Sequence, residues 1–121
     1  MPAAVDVRYI DSSQRVATVR ADIDFGDPTS ARFAMPGFTP VAVVYDGVTG
    51  AATYTNAELQ AASRASDADA RMARVPGTNL AADGMVVIAS AEYLELADYR
   101  FAVTASAGAV RATATFVKTR E

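Results

Sequence analysis

The stretch of sequence that decides the fold is Val16-Ala17-Thr18-Val19-Arg20-Ala21-Asp22-Ile23-Asp24-Phe25. Apolar and polar side chains alternate along it, which is the period of a β-strand with one buried and one exposed face. The expected buried face carries Ala17, Val19, Ala21, Ile23 and Phe25. Such strands are typical of an antiparallel sheet that covers a core with one side.

Similar strand patterns occur in the rest of the chain. Residues 85–93 are strand-like, and alternation returns over 99–105 and 112–116. Turn residues separate the strands, for example at Gly26-Asp27-Pro28-Thr29. About seven short strands with turn signals roughly every ten residues predict an all-β, antiparallel β-sandwich, with a small barrel as the alternative.

Two further features concern the organisation of the chain. Residues 56–64 contain good helix formers, and Thr55 with Glu58 has the spacing of a capping box, so we expect a short helical or irregular insertion near 56–66. No repeat or linker divides the chain, which predicts a single domain over 1–121, with 1–10 able to form an extended arm. The expected large core side chains are Ile23, Phe25, Phe33, Tyr99, Phe101 and Phe116.

The composition restricts the chemistry available to the chain. There is no cysteine and no histidine among the 121 residues, which excludes disulfides, thiolate nucleophiles, structural zinc sites and Ser-His-Asp triads. Carboxylates remain, at Asp22, Asp24, Asp27, Asp67 and Asp69, and we interpret them as solvated strand and loop positions. We therefore predict a protein without enzymatic activity and without catalytic residues.

Bound ions, cofactors, nucleic acids and membranes are also not expected. The acids of 22–27 do not match the EF-hand calcium pattern, and the only lysine, Lys118, lies in no phosphate-binding motif, so we predict no metal and no cofactor. The net charge of −3 argues against nucleic acid and anionic lipid as partners. No apolar run approaches the ~20 residues that span a bilayer.

The 41–80 segment carries the candidate binding residues. Tyrosine, methionine and arginine are enriched in the centres of protein interfaces, and loops on a rigid sandwich often bind. Tyr45 and Tyr54 lie on one predicted hairpin around residues 46–50, where joint exposure would also allow them to stack against a sugar.

We expect partner contact through the 41–80 segment and the N-terminal arm, and not through the closing strands, whose outward Arg111, Thr113 and Thr115 are ordinary choices for a solvent-exposed face. The alternative is that the side chains of 41–80 only cover the sandwich. If residues 56–66 are not the contact surface, the interface moves to Pro2–Tyr9, where an extended arm adds a strand to a neighbour's sheet edge. The predicted partner-binding residues are Tyr45, Tyr54, Leu59, Arg64, Arg71, Met72 and Arg74.

The C-terminal stretch 96–117 resembles the last hairpin of immunoglobulin-like domains. Tyr99 matches the position of the tyrosine corner, and Phe101 stands where antibody domains have their second cysteine. The wider layout, with an alternating strand that ends in Asp24-Phe25-Gly26-Asp27, is similar to small immunoglobulin-like proteins in the structural modules of tailed bacteriophages. The resemblance covers about half of the chain, and the 41–80 segment departs from it.

This resemblance implies an immunoglobulin-like sandwich and a virion structural role. The expected function is capsid decoration, in which a cement protein binds the lattice of the major capsid protein in many copies and also contacts copies of itself. The expected location is the virion, which is assembled in the host cytoplasm. A neck or tail component of the virion and a carbohydrate-binding or adhesion module remain as alternatives.

Overall fold

Eight β-strands and one 3-10 turn make up the regular structure of the described residues, which are 3–48, 52–64, 66–75, 77–88 and 98–119 of the computed structural model. The strands are β1 (Asp6–Tyr9), β2 (Val16–Asp24), β3 (Phe38–Gly47), β4 (Thr53–Ala62), β5 (Ala73–Arg74), β6 (Gly84–Val87), β7 (Asp98–Ala107) and β8 (Ala109–Lys118). The 3-10 turn spans Asp69–Arg71.

The strands form two antiparallel sheets. The five-stranded sheet has the order β1-β2-β8-β3-β6, and the three-stranded sheet has the order β5-β4-β7. Isolated antiparallel bridges from Thr29 to Ala102 and from Phe33 to Tyr99 place the segment after β2 beside β7 in the second sheet. The prediction of an all-β antiparallel sandwich is confirmed.

From β2 onward, the chain passes repeatedly from one sheet to the other. β2, β3, β6 and β8 lie in the five-stranded sheet, while the 29–33 segment, β4, β5 and β7 lie on the opposite side. This is the strand order of a jelly roll, a sandwich in which two antiparallel sheets enclose one core.

Two connections predicted as hairpins cross between the sheets. β7 and β8 are joined at Gly108, which has a left-handed φ of +76°, yet β7 pairs with β4 and β8 pairs with β2 and β3. The closing hairpin expected from the immunoglobulin resemblance is therefore wrong. β3 and β4 likewise lie in different sheets, so the hairpin expected around residues 46–50 is also wrong.

The predicted insertion near 56–66 is largely a strand. β4 is the middle strand of the three-stranded sheet and pairs with β7 along its length. Its side chains at Ala57, Leu59 and Ala61 are buried against the other sheet. The helical or irregular prediction is wrong, because the apolar side chains at every second position find a core to cover and this outweighs local helix propensity.

Four aromatic rings form the centre of the core. Phe33 packs against Tyr99, Phe101 and Phe116 with ring centroids 5.9, 5.6 and 6.0 Å apart. These four and Ile23 are buried, as the sequence predicts. Phe25 is 55% exposed, which corrects its predicted place in the core. β2 ends at Asp24, and Asp27 N–H donates to the Asp24 carbonyl in a turn, so the alternation no longer fixes the direction of Phe25.

Candidate interaction surface

Tyr45, the first predicted partner contact, lies in the core. It is fully buried on β3, and its hydroxyl donates to the carbonyl of Thr78 at 2.7 Å. Burial raises the pKa of the Tyr45 phenol, so the hydroxyl stays protonated and remains a donor. Tyr45 and Tyr54 are not exposed together on one hairpin, because their strands belong to different sheets.

Tyr54 is half-buried at the rim of the sandwich. Its hydroxyl donates to Asp83 Oδ1 at 2.7 Å, and burial together with this carboxylate raises the pKa of the phenol. Tyr54 and Asp83 line an open depression with Thr53, Ala81 and Ala82. The hydroxyl is thus held by Asp83, while one side of the ring packs against the core.

Leu59 and Met72 are buried as well. Leu59 points inward from β4 opposite Phe101, and Met72 follows the 3-10 turn. The folded chain therefore does not present Tyr45, Leu59 or Met72 to a partner, which corrects their assignment. Leu59 and Met72 instead agree with the alternative interpretation, in which these apolar side chains cover the sandwich.

The three arginines of the predicted set are exposed. Arg64 forms an ion pair with Asp67 at 3.4 Å, and Arg74 Nε donates to Glu58 Oε1 at 2.8 Å. Arg71 closes the 3-10 turn. The structure does not gather the seven predicted residues into one surface, and a role in binding for Tyr54, Arg64, Arg71 and Arg74 stays a prediction.

Sequence reasoning missed the outer face of the five-stranded sheet, where two rows of side chains cross all five strands. Val19, Ala114 and Val43 are fully buried, so the residues next to them on each strand point outward. One row is Arg8, Thr18, Thr115, Ala42 and Val87; the other is Asp6, Arg20, Thr113, Val44 and Met85. Both rows change from charged at β1 to apolar at β6.

The apolar end of this face consists of Ala42, Val44, Met85 and Val87, which we call the apolar panel. Met85 is 63% exposed and Val87 is 68% exposed, while Ala42 and Val44 are half-buried beside them. An exposed apolar group with a polar rim is a common feature of protein interaction sites. The sequence signal was weak, because the run Met85-Val86-Val87-Ile88 is apolar at every position and does not show which side faces solvent.

Ion pairs on β1, β2 and β8 border the other part of this face. Arg111 contacts Asp22 through Nε at 2.8 Å and through a terminal nitrogen at 3.2 Å. This guanidinium lowers the pKa of the Asp22 carboxyl. Asp6 lies 3.1 Å from Arg8 and 3.7 Å from Arg20. Since opposite charges alternate here, this end presents a mixed rim of both signs.

The carboxylates considered for metal or catalysis have other partners. Asp22 pairs with Arg111, and Asp24 Oδ1 accepts from the N–H of Gly26 at 3.2 Å. Within the described ranges, no three acidic side chains come together in a group that could hold a metal ion. The expected absence of metal, cofactor and catalytic activity stays a prediction. In the same part of the chain, no helix has the length and apolar character to cross a membrane.

The sandwich is similar to solved structures at low sequence identity. The SPBc2 prophage-derived protein YomS is 14% identical, with a TM-score of 0.49, over 84% of this chain and 95% of that one. A cupin domain from Bordetella pertussis Tohama I is 9% identical, with a TM-score of 0.44, over 95% of this chain and 93% of that one. A cupin superfamily protein from Desulfitobacterium hafniense DCB-2 has a TM-score of 0.42 at 9% identity, over 96% of this chain and 78% of that one.

No protein-family model matches the chain. No curated protein matches it either.

Proposed function

We propose that this chain is a non-enzymatic structural protein of a tailed-bacteriophage virion, and that it decorates the capsid by docking on the major capsid protein. The virion assignment comes from the sequence resemblance. The observation that supports the choice of docking surface is the apolar panel at the β3–β6 end of the outer face.

The apolar panel has the composition and the exposure of an interface centre. Fully burying a valine or methionine side chain stabilises by about 1.5–3 kcal/mol, and Met85 and Val87 leave most of that unrealised in the free chain. Thr113 and Thr115 continue the surface without charge, and the ion pairs around Arg111 and Asp22 form a polar rim. An apolar centre inside a polar rim is the usual arrangement of a protein–protein interface.

The surface is also suited to repeated docking on a lattice. Its side chains stand on the paired strands β2, β8, β3 and β6, so the free chain loses little conformational freedom when it binds. The outer face of the three-stranded sheet differs, because Arg100 donates to Gln60 at 2.7 Å and Arg74 to Glu58 at 2.8 Å. Among the described residues, the exposed large apolar side chains include Met85 and Val87 on the five-stranded face and none on β4, β5 or β7, so the five-stranded face is the better docking surface.

A charge placed in the panel should abolish decoration. The double variant Met85→Asp/Val87→Asp puts two carboxylates at the centre of the interface, and binding should weaken by roughly 100-fold or more. The measurement is co-sedimentation of purified protein with undecorated capsids of the phage that encodes the chain. Circular dichroism confirms that the variant folds.

The matched control is Thr104→Asp/Ser106→Asp. It adds the same two charges at the same spacing, at exposed positions of β7 on the other sheet. The control should decorate like the wild type. If wild-type protein does not bind the capsids, capsid decoration is wrong; if both double variants bind equally well, the panel is not the docking surface.

A further inference from the structure

Among the described strands, β1 forms one edge of the five-stranded sheet. β1 pairs with β2 on one side, and no strand among the described residues pairs with its other side. Ile10 N–H donates to Val16 across the β1–β2 pair at 2.9 Å. Because alternate residues of an antiparallel strand direct their backbone groups to opposite sides, the N–H and C=O of Val7 and Tyr9 point away from β2.

The side chains of the same two residues are incompletely covered. Val7 and Tyr9 lie opposite Val19 and Ala17 and share their inward-facing side of the sheet. Val19 and Ala17 are fully buried, whereas Val7 is 40% exposed and Tyr9 is 48% exposed. This edge therefore has open apolar surface beside outward backbone groups that no described strand pairs.

We propose that two copies of this chain pair through their β1 strands, antiparallel, about a two-fold axis at Val7. The axis is perpendicular to the sheet, so the two five-stranded sheets form one continuous sheet and their inner faces lie on the same side. The two Val7 residues exchange backbone hydrogen bonds, and Tyr9 faces Val5 of the partner subunit. This interface does not rest on the proposed capsid role.

The charges of Asp6 and Arg8 favour this register over its neighbours. With Val7 on the axis, Asp6 faces Arg8 of the partner subunit, and the symmetry repeats the pair. If the two-fold axis lies at Asp6, the two Asp6 side chains face each other. If it lies at Arg8, the two Arg8 side chains face each other. Opposite charges across a strand pair are favourable and like charges are not, so only the central register matches the sequence Asp6-Val7-Arg8.

The self-association has a direct test by sedimentation equilibrium over a wide concentration series. The wild type should form a dimer. Val7→Pro should be monomeric, because proline removes the outward N–H while the β1–β2 bonds at Asp6 and Arg8 remain. Circular dichroism of the variant should match that of the wild type, which shows that the variant folds.

Charge reversal tests the register. Asp6→Arg alone and Arg8→Asp alone place like charges opposite each other in both symmetric pairs, and each should raise the dimer dissociation constant about tenfold. The double variant D6R/R8D should restore dimerisation. The proposal is overturned if the wild type is monomeric throughout, if a folded Val7→Pro variant still forms dimers, or if D6R/R8D is no better than the single variants. Capsid binding is measured separately, so failure of either proposal is recognised independently.

Discussion

Phe101→Ala should lower the free energy of unfolding by about 3–5 kcal/mol, the usual range for truncating a buried phenylalanine. Phe101 is fully buried on β7, opposite Leu59 of β4, and its ring lies 5.6 Å from that of Phe33. Truncation leaves a cavity at the centre of the aromatic cluster that joins the two sheets. Urea denaturation, followed by circular dichroism, measures the loss.

Phe25→Ala is the matched control for this variant. The alternation of the sequence places Phe25 and Phe101 equally in the core, but the structure leaves Phe25 55% exposed. Its truncation should change stability by no more than about 0.5 kcal/mol. An equal loss of unfolding free energy in the two variants would contradict the exposed position of Phe25 just after the end of β2. An unchanged unfolding free energy for Phe101→Ala would contradict the assignment of Phe101 to the inner face of β7.

Tyr45→Ala should also cost about 3–5 kcal/mol, because it removes a fully buried ring together with the hydrogen bond to Thr78. This variant separates a core role for Tyr45 from the partner contact that the sequence suggested. The measurement is again urea denaturation of the purified variant.

Arg64→Ala is the control from the same predicted set. Its side chain is 74% exposed, and its ion pair with Asp67 is at the surface, so stability should stay within about 0.5 kcal/mol. A Tyr45→Ala variant that kept wild-type stability and lost capsid binding would show instead that Tyr45 is a contact residue.

The sequence was sufficient for the fold class because alternation is a local property. Over 16–24 it correctly separates the buried from the exposed side chains of β2. It does not identify which strands become neighbours. Nothing in Ala107-Gly108-Ala109 distinguishes a hairpin within one sheet from a crossing between two sheets, since both need a tight turn and Gly108 serves either.

The error at β4 has a similar physical cause. Thr55 and Glu58 have capping-box spacing, but Glu58 instead accepts hydrogen bonds from Asn56, Gln60 and Arg74 on the surface of the sheet. Helix propensity differs among ordinary residues by less than about 1 kcal/mol each, and burial of Leu59 outweighs it. The capping-box spacing takes no account of a hydrogen-bond partner such as Arg74, which another strand supplies.

The candidate surface could not be predicted from the sequence because it depends on register. Val44 and Met85, or Ala42 and Val87, become neighbours only when β3 pairs with β6. Each of these residues alone is an ordinary strand residue. Tyr45 and Met72 belong to residue types that are enriched in interface centres, but these types are equally suited to a core.

A cryo-EM reconstruction of the assembled virion tests the central claim most directly. We predict density for this chain in many copies on the capsid surface, with Met85 and Val87 of the apolar panel against the major capsid protein. Density only at the neck or tail, or copies on the capsid with the panel facing solvent, would contradict the account.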